Sequence, residues 1–271
     1  MKKIKTNPLT SYFILVFLMI NGFASIEIFH FFEVPKIVLW FLGSSAPTIS
    51  AIIIAYIVDG KKEVKKLLKP ILIFKVNLKW YVAAFAVTFL STVISISYLS
   101  LNSIDVPVIN LLGVIPMLIM TFVMGPLVEE TGWTGFALPK LQSRFNALSS
   151  NIVLGILWGV WHLPLWFLPG SAQSSMSFWL FLVIVVALRI IMGWAYNNTK
   201  GSIFIAILFH FFFNLGNQIG VELLGLPMNH FLYLAGVILV FYAVCIVIVS
   251  GPENLSRKHK KITSTMKIPF Q

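Results

Sequence analysis

Along this chain, apolar stretches of about 20 residues alternate with short polar ones. A helix needs about 20 apolar residues to cross a bilayer's hydrocarbon core. Eight stretches meet that length: 11–31, 37–58, 80–101, 108–127, 152–168, 178–196, 202–219 and 231–250. Backbone polar groups cannot go unpaired in lipid, so the stretches are expected to be helices. None alternates with period two, which argues against a β-barrel. The expected fold is therefore all-α, a polytopic membrane protein of about eight transmembrane helices. It forms a single transmembrane domain over 1–271.

The polar stretches orient these helices. Eighteen of the twenty lysines and arginines lie at the N-terminus, in 59–79, 129–151 and 197–201, and in the C-terminal tail. The opposite set holds Lys36, and Arg189 lies within a span. By the positive-inside rule, both termini are expected to face the cytoplasm. The segment 61–74, KKEVKKLLKPILIF, mixes lysines with Leu and Ile. It reads either as an amphipathic piece at the cytoplasmic membrane surface or as an orienting loop. Lys2, Lys3 and Lys5 before an apolar run, with Gly22-Phe23-Ala24 after it, could suit a cleaved signal; apolar character continuing to Phe32 favours an uncleaved first helix.

Composition fits this picture. Apolar residues make up 58% and charged residues 11%, against about 45–50% and about 25% in soluble domains. That excludes a water-soluble globular enzyme, and disorder with it. The net charge of +11 is distributed as orienting runs, so nucleic acid is not expected as a partner. The single cysteine, Cys245, allows no intrachain disulfide and reads as apolar filler.

Ionisable groups within membrane spans are rare and mostly functional. The later spans carry or adjoin Glu129, Glu130, His162, Arg189, His210, Asn214 and Asn217. Glu27 and His30, near the outer end of the first span, read as interfacial. Glu129 and Glu130 close the fourth span in GPLVEETGWTGFALPKL. Adjacent carboxylates repel, which suits one of them to take a proton from water; an ordinary cytoplasmic helix end is the plain alternative. His162 sits among Trp158, Trp161 and Trp166, two residues before Pro164, which should bend the helix. His210 and Asn214 are four residues apart and share a helix face. Each alone could be an interhelical hydrogen-bonding residue. Together, two carboxylates, two histidines and an asparagine from three spans could activate water and stabilise an oxyanion. Two His and a Glu could also bind zinc, although no HExxH is present.

These residues fall into three short motifs, and the motifs resemble the CPBP family of intramembrane peptidases. That family includes type II CAAX prenyl endopeptidases and bacterial proteins linked to bacteriocin immunity. Its pattern is Glu-Glu-x-x-x-Arg, Phe-x-x-x-His and His-x-x-x-Asn/Asp. Here the pieces are Glu129-Glu130-Thr131-Gly132-Trp133-Thr134, Trp158-Gly159-Val160-Trp161-His162 and His210-Phe211-Phe212-Phe213-Asn214. The resemblance covers about 125–217, the expected motif-bearing core. It implies that Glu129 and His162 activate the attacking water, that His210 and Asn214 stabilise the oxyanion, and that Glu130 supports them. Thr134 stands where the family has Arg, with Arg144 and Arg189 as candidate substitutes; Trp158 stands where it has Phe. Descriptions of the family differ on metal use. Asn214 is a poor zinc ligand, which favours metal-independent chemistry without cofactors.

The leading expectation is an intramembrane endopeptidase cutting a membrane-associated peptide or protein near the cytoplasmic surface of a bacterial plasma membrane. The alternatives are a catalytically weak member acting as an immunity or scaffold protein, and a transporter. Glu129 near the end of its span must meet His162 and His210 nearer mid-membrane. That requires either a deeper fourth span or a water-filled cavity opening from the cytoplasm, and the cavity is the expectation.

Overall fold

The computed structural model describes residues 2–102, 104–105, 111–168 and 170–257. The start of the fourth predicted stretch (108–110) and the basic tail beyond Arg257, with His259, lie outside the described residues. Among the described residues there is no strand, and eight helices are long and apolar enough to cross a membrane. They are α1 (Pro8–Phe29), α2 (Lys36–Leu72), α3 (Lys79–Leu101), α4 (Leu112–Gln142), α5 (Ala147–Phe167), α6 (Phe178–Asn198), α7 (Ile203–Leu223) and α8 (Met228–Ser250). The all-α multi-pass architecture is therefore present.

Local signals set several of the starts. The side chains of Asn146, Ser177 and Ser202 accept the backbone N–H of Ser149, Leu180 and Ile205 at the first turns of α5, α6 and α7. Each satisfies a donor that the helix cannot pair internally. At the join of α1 and α2, Glu27 accepts the Trp40 indole N–H at 2.9 Å and lies 3.7 Å from Lys36 Nζ. Glu27 thus ties two helix ends together, in keeping with the non-catalytic reading.

Helices α6 and α7 are the most deeply buried of the eight. A centre is where polar side chains can escape lipid, and both helices carry them.

Three predicted boundaries need correction. The stretch 129–142 is helical, not a cytoplasmic loop: α4 runs through the glutamates to Gln142. Glu129 and Glu130 therefore lie well inside a helix of 31 residues. Gly, Pro and Glu in GPLVEETG disguised this continuity. Pro126 has no N–H for the helical ladder, and the chain answers with a wide π turn over Val123–Leu127. A second π turn covers Thr131–Ala137. Gly132 lets α4 touch α2, since a Cβ there would sit 2.4 Å from the backbone of Pro47. Next, α5 ends as an α-helix at Trp161, and His162 is its C-cap, inside the candidate span Ala147–Phe167. Pro164 sits at the start of the tighter turn Leu163–Phe167 that follows, because its ring clashes with a continuing helix. Finally, α2 runs on past residue 58 but breaks at Asp59 and Gly60. Gly60 takes φ 60° and ψ −149°, a conformation open essentially to glycine alone.

Candidate active site

Glu129 and Glu130 are next to each other on α4, 4% and 0% exposed. Two bare carboxylates could not stay there, and each has its own answer. Glu129 Oε2 accepts two indole N–H groups, from Trp133 on its own helix at 3.2 Å and from Trp158 on α5 at 2.8 Å. Glu130 is met by Arg189 of α6, which is 0% exposed. Arg189 Nη1 donates to Glu130 Oε2 at 2.9 Å and to Oε1 at 3.2 Å; Nη2 donates to Thr134 Oγ1 at 2.8 Å. The Thr134 hydroxyl in turn donates to Glu130 Oε2. Arg189 also lies over the Trp158 ring, 5.5 Å from its centre. A guanidinium with its fork on a carboxylate is a strong, geometrically selective pair.

His210 joins this network from α7. Its Nδ1 is 3.0 Å from Glu130 Oε1. With Oε1 as acceptor, Nδ1 carries the hydrogen, which fixes the ring and leaves Nε2 facing away from Glu130. Nε2 faces Gly125. At the position a Gly125 side chain would take, three polar atoms converge: Asn214 Nδ2 at 3.4 Å, Glu129 Oε1 at 3.5 Å and His210 Nε2 at 3.7 Å. Gly125 thus leaves room where a carboxylate, an imidazole and an amide meet.

His162 is placed differently from its expected role. Its Nδ1 donates to the Trp158 carbonyl at 2.8 Å, and no hydrogen bond joins it to either glutamate. The Trp158 ring touches both histidines, with centroids 5.7 Å from His162 and 4.9 Å from His210. His162 and Asn214 are half-buried, so the exposed parts of the cluster belong to them. Asn217 is spent locally, donating to the Phe213 carbonyl at 3.2 Å. Of the five residues singled out from the sequence, four adjoin directly: Glu129, Glu130, His210 and Asn214. His162 is reached through Trp158.

Four further residues shape the cluster and were not among the expected catalytic set. Arg189 carried a signal, being the lone basic residue within a span. Trp133 and Trp158 were visible only as bulk, since nothing in a sequence reveals that an indole N–H meets a carboxylate. Gly125 gave no sign. Arg144, the other candidate for the missing arginine, lies beyond the end of α4.

The donor set suits a metal poorly. Both Glu130 oxygens face a guanidinium, which competes with any cation, and Glu129 Oε2 is taken by two N–H groups. Around Gly125 that leaves Glu129 Oε1, His210 Nε2 and an amide, whereas zinc sites draw on three or four His, Cys or carboxylate ligands. Among the described residues, no group of three His, Cys, Asp or Glu side chains is arranged to hold a metal ion.

Comparison with known proteins points the same way as the motifs. Residues 111–216 match the family described as type II CAAX prenyl endopeptidase Rce1-like. The chain is 34% identical over 139 residues to CAAX prenyl protease 2 of Methanococcus maripaludis, a match spanning 49% of each protein. The chain is thus matched over about half that relative's length, and the resemblance carried by the three motifs is borne out.

Proposed function

We propose that this chain belongs to the family that its residues 111–216 match, the Rce1-like type II CAAX prenyl endopeptidases, and that it is an intramembrane endopeptidase. The observation that carries the proposal is the convergence of Glu129 Oε1, His210 Nε2 and the Asn214 amide on the open face of Gly125. A water molecule there would hydrogen-bond Glu129 Oε1. Glu129 takes a proton from it as the hydroxide attacks the peptide carbonyl. The tetrahedral oxyanion receives hydrogen bonds from the Asn214 amide and from His210 Nε2, with the imidazole protonated on both nitrogens and steadied by Glu130. Glu129 then passes its proton to the leaving amine, so protons balance over the cycle. His162, with Nδ1 engaged, keeps Nε2 as an acceptor and is assigned as a second partner for incoming water. This division of labour places oxyanion donors ahead of reaction, which is where such sites gain most.

The proposed substrate is a membrane-associated peptide or protein with its scissile bond near the cytoplasmic surface. The relative's name, CAAX prenyl protease 2, points to a prenylated CAAX segment. Both termini are assigned to the cytoplasm by the distribution of lysine and arginine. Although Thr134 stands where the family has Arg, Arg189 donates to Glu130 from another helix, which favours an active enzyme over a silent family member.

The test is cleavage of a prenylated, fluorescently labelled peptide by the purified chain in proteoliposomes. Glu129→Gln is expected to lower turnover about 10²–10⁴-fold, the range of a general base, with helicity unchanged. Turnover within tenfold of the parent would remove Glu129 from the chemistry and sink this reading.

A further inference from the structure

The break at Asp59 and Gly60 builds a feature apart from the buried cluster. The segment Lys36–Leu72 has 37 residues, about 55 Å of helix at ~1.5 Å per residue. That exceeds a ~30 Å hydrocarbon core. The part before the break is long enough to span, which by length alone puts the part after it at the membrane boundary. Between the two parts lies a groove of about 810 Å³, within the roughly 300–1,000 Å³ usual for ligand sites.

The groove has an apolar floor and two unlike stripes. Ile53 and Ile57, before the break, form the floor, and Val64, Leu68 and Leu72 form one stripe at four-residue spacing. Lys61, Lys65 and Lys69 form the other, at the same spacing and therefore on one face over ~12 Å. The part after the break holds two more lysines, and these are matched: Lys62 pairs with Asp59 at 3.7 Å and Lys66 with Glu63 at 3.5 Å. Among the described residues, none of the three groove lysines makes an ion pair with a carboxylate. The opposite face is anchored, since Leu67 is buried and packs beside Gly135 of α4. The groove is thus held open by the fold.

We infer that this groove is a binding site for one anionic phospholipid, its phosphate on Lys61, Lys65 and Lys69 and an acyl chain along the apolar floor. Uncompensated positive charge selects an anion, contiguous Ile and Leu select hydrocarbon, and the boundary position supplies a molecule having both. The site does not depend on peptidase activity.

The experiment titrates the full-length chain in neutral detergent with phosphatidylglycerol and with phosphatidylcholine of the same chains, read by native mass spectrometry. Phosphatidylglycerol should bind at least tenfold tighter. Lys61/Lys65/Lys69→Gln should weaken it roughly a hundredfold, at about fivefold per lysine. Lys62/Lys66→Gln, which removes two charges from the same segment, should change it less than threefold, and Ile53→Trp should weaken both lipids. All the lysine changes are at exposed positions. Equal binding of the two lipids overturns the site. Equal loss per lysine in the two variants overturns it in favour of diffuse attraction. Competition by glycerophosphoglycerol at the concentration of the whole lipid overturns it in favour of a phosphate site without a chain.

Discussion

Removing the Arg189 guanidinium should destabilise the protein more than removing both charges of its pair. Arg189 and Glu130 are each 0% exposed, so solvent does not screen them. In Arg189→Met, Glu130 loses donors at 2.9 and 3.2 Å, and Thr134 loses one at 2.8 Å. An unpaired buried charge created this way costs about 3–5 kcal/mol. At roughly 2–4 °C per kcal/mol for a chain of this size, the melting midpoint should fall by roughly 6–20 °C. In Arg189→Met/Glu130→Gln no charge is stranded, and the amide introduced by the second change still offers an oxygen to His210. Exchanging a whole buried ion pair for neutral groups is often close to neutral, so the double variant should recover at least ~2 kcal/mol of the loss. The assay is thermal loss of helical circular dichroism in detergent for parent, both single variants and the double. Additive losses, or an Arg189→Met midpoint within 2 °C of the parent, would show that the pair is not what holds Glu130.

Gly125→Ala places a methyl group among Asn214, Glu129 and His210 at ordinary contact distances of 3.4–3.7 Å. Stability should hold in a melt, while peptide cleavage should fall at least a hundredfold. Gly132→Ala instead drives a methyl against the Pro47 backbone at 2.4 Å; the overpacking cost of about 1–3 kcal/mol should appear as a lowered midpoint. Trp158→Phe removes the 2.8 Å donor to Glu129 while keeping the aromatic bulk, and should lower kcat more than it raises KM. Because Arg189 contests Glu130 with any cation, dialysis against a chelator should leave turnover within twofold, measured with the same peptide.

Much of the helix plan was legible because hydrocarbon imposes a length and forbids unpaired backbone, two constraints that leave a plain mark in sequence. The mark fades where a helix is not facing lipid. GPLVEETGWTG looked like a loop because polar and helix-weakening residues crowd together there. In the interior, indole and guanidinium donors satisfy the carboxylates, and glycine is wanted for close packing. An apolar run likewise conceals that the α-helical part of the fifth span ends at Trp161, shortly before Pro164. Spacing of four put His210 beside Asn214 on one helix face, but the partnership of Arg189 with Glu130 joins residues 59 positions apart. No local pattern encodes a contact at that separation.

The division of one ion pair between two helices also bears on how the protein is made. Helix α4, with both glutamates, leaves the ribosome well before α6. On the insertion scale, an arginine at the centre of a helix costs about 2.5–3.5 kcal/mol, which the mean hydropathy of 2.3 in α6 offsets. Until α6 arrives, α4 holds carboxylates without their counter-ion and has reason to linger beside the water-filled insertion channel. Arrival of α6 discharges both liabilities together. In a nascent chain arrested before Phe178, α4 should therefore cross-link to the insertion channel, whereas in one arrested after the whole of α6 has emerged it should not, and Arg189→Met should abolish the difference.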